Sequence, residues 1–519
     1  MFTANLLLFG PNQQYKVRTQ PFIMITGFSL LFLIGALSLG ITASSTSLIL
    51  RCSRQFKLGG RERELHHTHQ TAISRLGGIG LALGSIASAL AIILGGFVHA
   101  DALDECMKIL ILSAAMFALG LWDDLRTIGA KRKLMGQVII ASAAYFSGIG
   151  IHIVSVPFGH EAMDLGLWAW PVTVLWLVAM TNLINLIDGV DGLAGGISLM
   201  LMVLLAGLGT TGCGVSIMAS GMIGALLGFL WFNFPPARIY MGDGGAYFLG
   251  FSIGCLTIVS SQKGTIFAAL IAPLFVLALP ILDTSLAIVR RGMQGLPLFR
   301  PDRKHIHHRM LDLGLSRRSV VLGAYVFTAF FLLLGFGVFW THGEQLPILV
   351  GFGTLFILLA AGKLSFSREW LGVGRVLGNF LSARAEIQYA LAQTRWLILE
   401  GARCRDLDSL CEDTIFIGRK IGFSSVSIKL ADSEKKWQQT PADNGRACWT
   451  FRQSLPGQND SYIEITAVAN IEHSAKIISL SESPILDKHT FEILGDLLAE
   501  GWAKAMAQWK KKSDLSPHP

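Results

Sequence analysis

Long apolar runs separated by short polar loops make up the chain as far as about residue 363. Eleven such runs can be drawn, at 22–49, 76–99, 106–122, 134–154, 168–187, 193–210, 213–232, 245–261, 265–289, 320–341 and 346–363. Each is close to the ~20 residues that a helix needs to cross the hydrocarbon of a bilayer. Beyond residue 364 the pattern changes to that of a soluble domain. Helical spacing predicts a helix over Ala383–Glu400 and a second over Asp406–Ile421, closed by Gly422. Alternation predicts strands at Ser424–Leu430, Ala447–Phe451 and Tyr462–Ala469. A last helix is expected to open at Ser483-Pro484 and to run through Phe491, Leu494, Leu498, Trp502 and Met506. The expected fold is an α-helical polytopic membrane protein with about 11 transmembrane helices in residues 1–370, followed at 371–519 by a C-terminal soluble α+β domain. In element order that domain is similar to a GAF or PAS module, and no metal or nucleotide motif appears in it.

Composition agrees with the pattern. At 52% hydrophobic, 15% charged and a mean hydropathy of +0.53, the chain is too apolar for a soluble enzyme of its 519 residues. Seven cysteines are scattered without a Cys-x-x-Cys pair, which argues against a zinc site or a disulfide framework. The net charge of +8 raises nucleic acid as a partner, but its placement excludes it. The basic residues sit in alternate loops, at Arg51–Arg75, Arg126–Lys133 and Arg290–Arg318, whereas the loops between them are short or acidic. This bias puts the amino terminus outside and the carboxyl terminus in the cytoplasm. The first run is long enough to be a span and lacks a convincing cleavage site, so no cleaved signal peptide is expected.

Four polar stretches interrupt the apolar pattern, and the assigned orientation puts all of them on the cytoplasmic side. Asp123 and Asp124 end the third run, with Lys131, Arg132 and Lys133 following. Adjacent acids repel unless a cation or a shared proton relieves them, which suits a metal or base role; a solvated helix end is the alternative. Asn182, Asn185, Asp188 and Asp191 place two carboxamides and two carboxylates where apolar sequence would otherwise continue. An intramembrane acid costs about 2.5–3.5 kcal/mol even on the lenient insertion scale, so a site is expected. Asp188 and Asp191 share a face if the backbone there is helical, and capping of the next helix is the alternative. Asp243 stands among Gly242, Gly244 and Gly245 after the helix-breaking Pro235-Pro236. A lone carboxylate of this kind suits magnesium, which takes one or two carboxylates and otherwise waters and phosphate oxygens; a turn is the alternative. Finally, Arg303, His305, His307 and His308 crowd donors that suit a diphosphate better than zinc; an ordinary basic cytoplasmic loop is the alternative.

These stretches, in this order, resemble the polyprenyl-phosphate N-acetylhexosamine-1-phosphate transferase family over about residues 60–315. Asp123-Asp124 with Lys133 and Gln137, the run Asn182, Asn185, Asp188-Gly, Asp191-Gly, the element Gly242–Gly245 and the loop Pro301–His308 each match a family motif. The loop's form, Pro-Asp-Arg-x-His-x-His-His, is similar to that of the branch using UDP-N-acetylglucosamine. Ser74 stands where the family often has Pro before Arg75-Leu-Gly-Gly.

The resemblance implies attack of a polyprenyl phosphate on the sugar-linked phosphorus of a UDP-N-acetylhexosamine, with release of UMP, at a bacterial inner membrane. It implies Mg2+, or Mn2+ in its place, on Asp243. Asp123, Asp124, Asp188 and Asp191 would be catalytic. Lys133, Asn182, Asn185, Arg303, His305, His307 and His308 would bind substrate. The partners expected are the nucleotide sugar, the lipid phosphate, the bilayer and a second copy of the chain, with no nucleic acid. Two readings of other classes stay open: an ion-coupled secondary transporter, and a receptor or scaffold acting through its soluble domain. Asp243→Asn is expected to abolish transferase turnover in membranes, whereas truncation after about residue 370 abolishes function only if the receptor reading holds.

Overall fold

The computed structural model describes residues 20–56, 73–96, 100–126, 128–155, 162–208, 214–262, 266–294, 310, 314–341, 345–363, 373–404, 406–430, 433–438, 448–454, 461–468 and 488–515. The chain is a mostly helical, polytopic membrane protein. Its helices in order are α1 (Gln20–Phe56), α2 (Gly77–Leu94), α3 (Ala100–Leu125), α4 (Ala130–Phe146), α5 (Ala169–Ile187), α6 (Leu193–Leu208), α7 (Gly214–Asn233), α8 (Gly242–Gln262), α9 (Ile266–Val276), α10 (Ala278–Gln294), α11 (Arg317–Trp340) and α12 (Leu346–Lys363). Among the described residues six helical stretches are long and apolar enough to span a membrane: 29–53, 103–125, 166–187, 214–233, 242–260 and 317–338. Three more apolar helices are shorter, at Gly77–Ala91, Leu193–Gly207 and Leu346–Ile357.

Two apolar runs differ from their expected form. The run at 134–154 stops being helical at Phe146, where Gly148 takes φ +99° and turns the chain into a short antiparallel hairpin, β1 (Ile153–Ser155) with β2 (Ala162–Asp164). The run at 265–289 is two helices, α9 and α10, meeting at Leu277, where Pro280 has no N–H to give to the Val276 carbonyl.

The helices up to Ser285, with α11 and α12 as far as Ala360, form one compact unit. At its centre α8 is almost wholly enclosed, with Phe248, Leu249, Phe251, Ile253, Leu256 and Ile258 buried. In lipid there is little hydrophobic drive to bring helices together, so close approach through small residues does that work. α1 and α7 meet at Gly35 and Gly224, where a Cβ on Gly224 would lie 1.9 Å from the Gly35 carbonyl oxygen. α1 and α2 meet at Thr42 and Gly84, where a Cβ would lie 1.9 Å from the threonine hydroxyl.

The sheet and helices from residue 373 onward belong to a second compact unit. It comprises α13 (Val373–Gly401), α14 (Leu407–Ile421), the strands β3 (Ser425–Leu430), β4 (Ser433–Gln438), β5 (Cys448–Ser454) and β6 (Tyr462–Val468), and α15 (Lys488–Leu515). The strands form one antiparallel sheet in the order β4-β3-β6-β5. Asp406 caps α14 by accepting from the Ser409 N–H, and Gly422 closes it at φ +96°. β4 is an element the sequence pattern does not announce, because Ser-Glu-Lys-Lys-Trp-Gln lacks the apolar alternation of a half-buried strand. The expected start of the last helix at Ser483-Pro484 lies outside the described residues.

Gly224→Ala is expected to lower the thermal midpoint of the purified protein in detergent, with a cost of about 1–3 kcal/mol for overpacking. Gly40→Ala, where a Cβ meets nothing within 4 Å, is expected to leave the midpoint unchanged or raise it.

Candidate active site

Three of the four polar stretches, those at Asp123–Lys133, Asn182–Asp191 and Asn233–Gly245, come together at one end of the first unit, where α3, α5 and α7 finish and α2, α4, α6 and α8 begin. The tightest junction is between α3 and α8. A Cβ on Gly120 would lie 2.4 Å from the Asp243 carbonyl oxygen, so α3 runs directly against the start of α8. One turn later, Asp124 turns its carboxylate onto that start. It accepts from the Asp243 N–H at 3.0 Å and the Gly244 N–H at 2.9 Å. These are orphan donors at the positive end of a helix, and a carboxylate is a favoured partner for them. Gly242, at φ +74°, makes the turn into α8, and a Cβ there would strike the Arg75 carbonyl and the Asp124 carboxylate.

α4 supplies the cation. Gly129, at φ +86°, precedes the helix, and one turn in, Lys133 reaches two carboxylates at once. Its Nζ lies 2.5 Å from Asp123 Oδ2 and 2.7 Å from Asp243 Oδ2. Asp123 is 2% exposed, and its other oxygen accepts from the Ile128 N–H at 2.8 Å. Burial works to lower the pKa of the Lys133 ammonium, but its hydrogen bonds and attraction to Asp123 and Asp243 overcome that and hold it above the usual lysine value. A further turn along α4, Gln137 is buried and exchanges amide hydrogen bonds with Asn182 of α5, which donates to it at 2.7 Å.

Asp188 and Asp191 do not share a helical face, because α5 ends at Ile187 and a turn follows. The two carboxylates go to different places. Asp188 is half-buried and accepts from the Gly242 N–H, with Asp243 and Asp124 close by. Burial, reinforced by those two negative charges, pushes its carboxyl well above the usual range, and the Arg75 guanidinium opposes the shift. Asp191 accepts instead from the Ala237 N–H at 3.0 Å. Next to it the Gly192 N–H donates to Asn233 Oδ1 at 2.9 Å, and Asn233 Nδ2 donates to the Ile239 carbonyl at 2.8 Å. From α11 the Tyr325 hydroxyl donates to the Gly192 carbonyl at 2.6 Å, and Arg318 Nε donates to the Pro235 carbonyl at 2.9 Å. The loop carrying Asp188 and the Pro-Pro loop before Asp243 are therefore tied together. The stretch at Ser74–Gly78 joins them through backbone bonds between Tyr240 N and Ser74 O, Gly77 N and Tyr240 O, and Gly78 N and Met241 O.

Asn185 contributes its carbonyl to the Asp188 N–H at 3.3 Å. Arg303, His305, His307 and His308 lie outside the described residues. Asn233, Tyr325 and Arg318 were not singled out by the sequence. A lone Asn ending an apolar run and a lone Tyr inside one were the signals available.

Among the described residues no group of three His, Cys, Asp or Glu side chains is arranged as a metal-ligand set. The chemistry of the cluster nonetheless fits a hard divalent cation. Asp123, Asp124, Asp188 and Asp243 share their surroundings with Lys133 and Arg75, which leaves excess negative charge. A cation that needs only one or two carboxylates, with water and phosphate oxygens completing its shell, suits that imbalance. Asp124→Ala, which orphans two N–H groups at the start of α8, is expected to cost about 1–2 kcal/mol of stability by thermal denaturation. Asp124→Asn keeps an acceptor oxygen and is expected to cost less.

Comparison with known proteins gives a match to the model described as glycosyl transferase family 4, over residues 106–261. The chain is 37% identical over 260 residues to a probable undecaprenyl-phosphate N-acetylglucosaminyl 1-phosphate transferase of Bacillus subtilis (strain 168), covering 50% of this chain and 71% of that protein. It is 30% identical over 328 residues to a decaprenyl-phosphate N-acetylglucosaminephosphotransferase of Mycobacterium tuberculosis, covering 56% of this chain and 78% of the relative. A phospho-N-acetylmuramoyl-pentapeptide-transferase of Pelotomaculum thermopropionicum is 32% identical over 323 residues, covering 57% and 94%.

Proposed function

We propose that this chain, which belongs to glycosyl transferase family 4, transfers N-acetylglucosamine 1-phosphate from its UDP-sugar to a polyprenyl phosphate such as undecaprenyl phosphate, releasing UMP and starting a lipid-linked glycan. The observation that carries this reading is the meeting of Asp123, Asp124, Asp188, Asp243 and Lys133 at one end of the membrane unit. The relatives that act on polyprenyl phosphates by name support the acceptor, and two of the three are named for N-acetylglucosamine. In the reaction an oxygen of the lipid phosphate forms a bond to the sugar-linked phosphorus. The bond from that phosphorus to the bridging oxygen breaks, and UMP leaves with the electron pair. We favour direct displacement, because the lipid phosphate is already an anion and needs no strong base.

Mg2+, or Mn2+ in its place, bound through Asp243 would neutralise charge developing on the phosphate oxygens. Lys133 holds Asp123 and Asp243 together and offers its charge to incoming phosphate. Asp124 fixes the start of α8 and so the place of Asp243, while Asp123 orients the acceptor phosphate. Asp188, pushed toward its neutral form by burial, is suited to donate a hydrogen bond to a phosphate or to take up a cation as its proton leaves. Asp191 holds the loop that carries Asp188, and Asn182 and Asn185 line the nucleotide side. Arg303, His305, His307 and His308 would bind the diphosphate. The active site and the C-terminal domain, GAF- or PAS-like in our reading, face the cytoplasm, with the amino terminus outside.

Membranes containing the protein, supplied with radiolabelled UDP-N-acetylglucosamine, polyprenyl phosphate and Mg2+, are expected to yield labelled lipid and UMP in equal amounts and no labelled protein. Chelation should stop the reaction and added Mg2+ or Mn2+ restore it. If folded protein labels lipid from no UDP-sugar, the assignment fails.

A further inference from the structure

In the second unit α13 packs one face against its own domain, and its opposite face is exposed among the described residues. Ile387, Ala390, Thr394, Leu397 and Gly401 recur at spacings of three and four and are buried, with Gly401 seated against Ala505 and Thr394 against Gly501 of α15. An outer helix whose inner face is satisfied in this way is ordinarily polar on its other side. Here the other side carries Ala385, Tyr389, Ala392, Trp396 and Leu399, every one exposed, with Tyr389 41%, Trp396 42% and Leu399 67% exposed. The spacing is four, three, four, three, which is the seam of a helix pair and not a scatter of surface apolar residues.

Charge selects the occupant. With Tyr389 and Trp396 at a positions and Ala385, Ala392 and Leu399 at d positions, Glu386, Gln393 and Glu400 fall at e and Gln388 and Arg395 at g. In a parallel pair of identical helices, a g residue faces the e residue five positions on in the partner, so Arg395 of each copy meets Glu400 of the other. An antiparallel pair would set glutamate against glutamate along the e rows and Arg395 against itself. We propose that this face of α13 docks on the same face of a second copy of the chain, in parallel and in register. Small alanines at d leave room for Tyr389 and Trp396 between the helices. Two heptads make a weak pair in free solution. Two chains held in one membrane meet at a high effective concentration, which offsets that weakness.

The test is disulfide cross-linking of the full-length protein in its membrane, with the exposed Cys448 replaced by Ser. Ala392→Cys and Leu399→Cys, each examined separately, are expected to give a covalent dimer on mild oxidation. Arg384→Cys, exposed but off the seam, is expected to give none. Adding Arg395→Glu to Leu399→Cys should lose the dimer band, and adding Glu400→Arg as well should restore it. The proposal is overturned if neither seam position cross-links or if Arg384→Cys cross-links as strongly. It is also overturned if a fluorophore on Leu399→Cys is quenched by brominated lipids, which would mean that the bilayer covers this face.

Discussion

The Lys133 ammonium, set between Asp123 and Asp243, makes the rest of the site tenable. Carboxylates at the edge of a bilayer lose much of their hydration, and without a counter-charge they repel one another or take up protons. Lysine from a separate helix relieves two of them at once. Backbone N–H groups relieve others: Asp124 is met by Asp243 and Gly244, Asp188 by Gly242, and Asp191 by Ala237. What is left over is an excess of negative charge among the four carboxylates Asp123, Asp124, Asp188 and Asp243, and a site of this composition attracts cations with phosphate attached.

The close approaches of the helices serve the same end. Gly120 lets α3 reach the first turn of α8, and Gly242 and Gly78 let neighbouring backbone cross within a side chain's width. Because the contacts are backbone to backbone, side-chain motion does little to blur them. The Asp188 loop is held by Asn233 and Tyr325, from α7 and α11, so the carboxylates rest on rigid elements although most of them occupy turns and helix ends.

Much of this was legible in the sequence. Acids and amides at the ends of apolar runs signalled the site, and loop charge put them on one side. The runs gave most helices, since a lipid-facing helix must be apolar along its length. What could not be read was which carboxylate does what. Asp123 and Asp124 are adjacent and chemically identical, yet one meets a lysine and the other a helix start, a difference that exists only once α4 and α8 are in place. Asp188 and Asp191 parted because α5 ends one residue before the first of them. Strand β4 escaped notice because an edge strand rich in Lys carries no alternation, and the hairpin after Phe146 was hidden inside an apolar run.

Lys133 and Gln137 are one turn apart on α4, and between them they touch α3, α5 and α8. α4 therefore reaches the site through two side chains on one face of the helix. Rolling it by a fraction of a turn would disengage the ammonium from its acids and the amide from Asn182 together. The charge pairing at Asp123 and Asp243 and the amide pairing at Asn182 are thus tied to the setting of one helix.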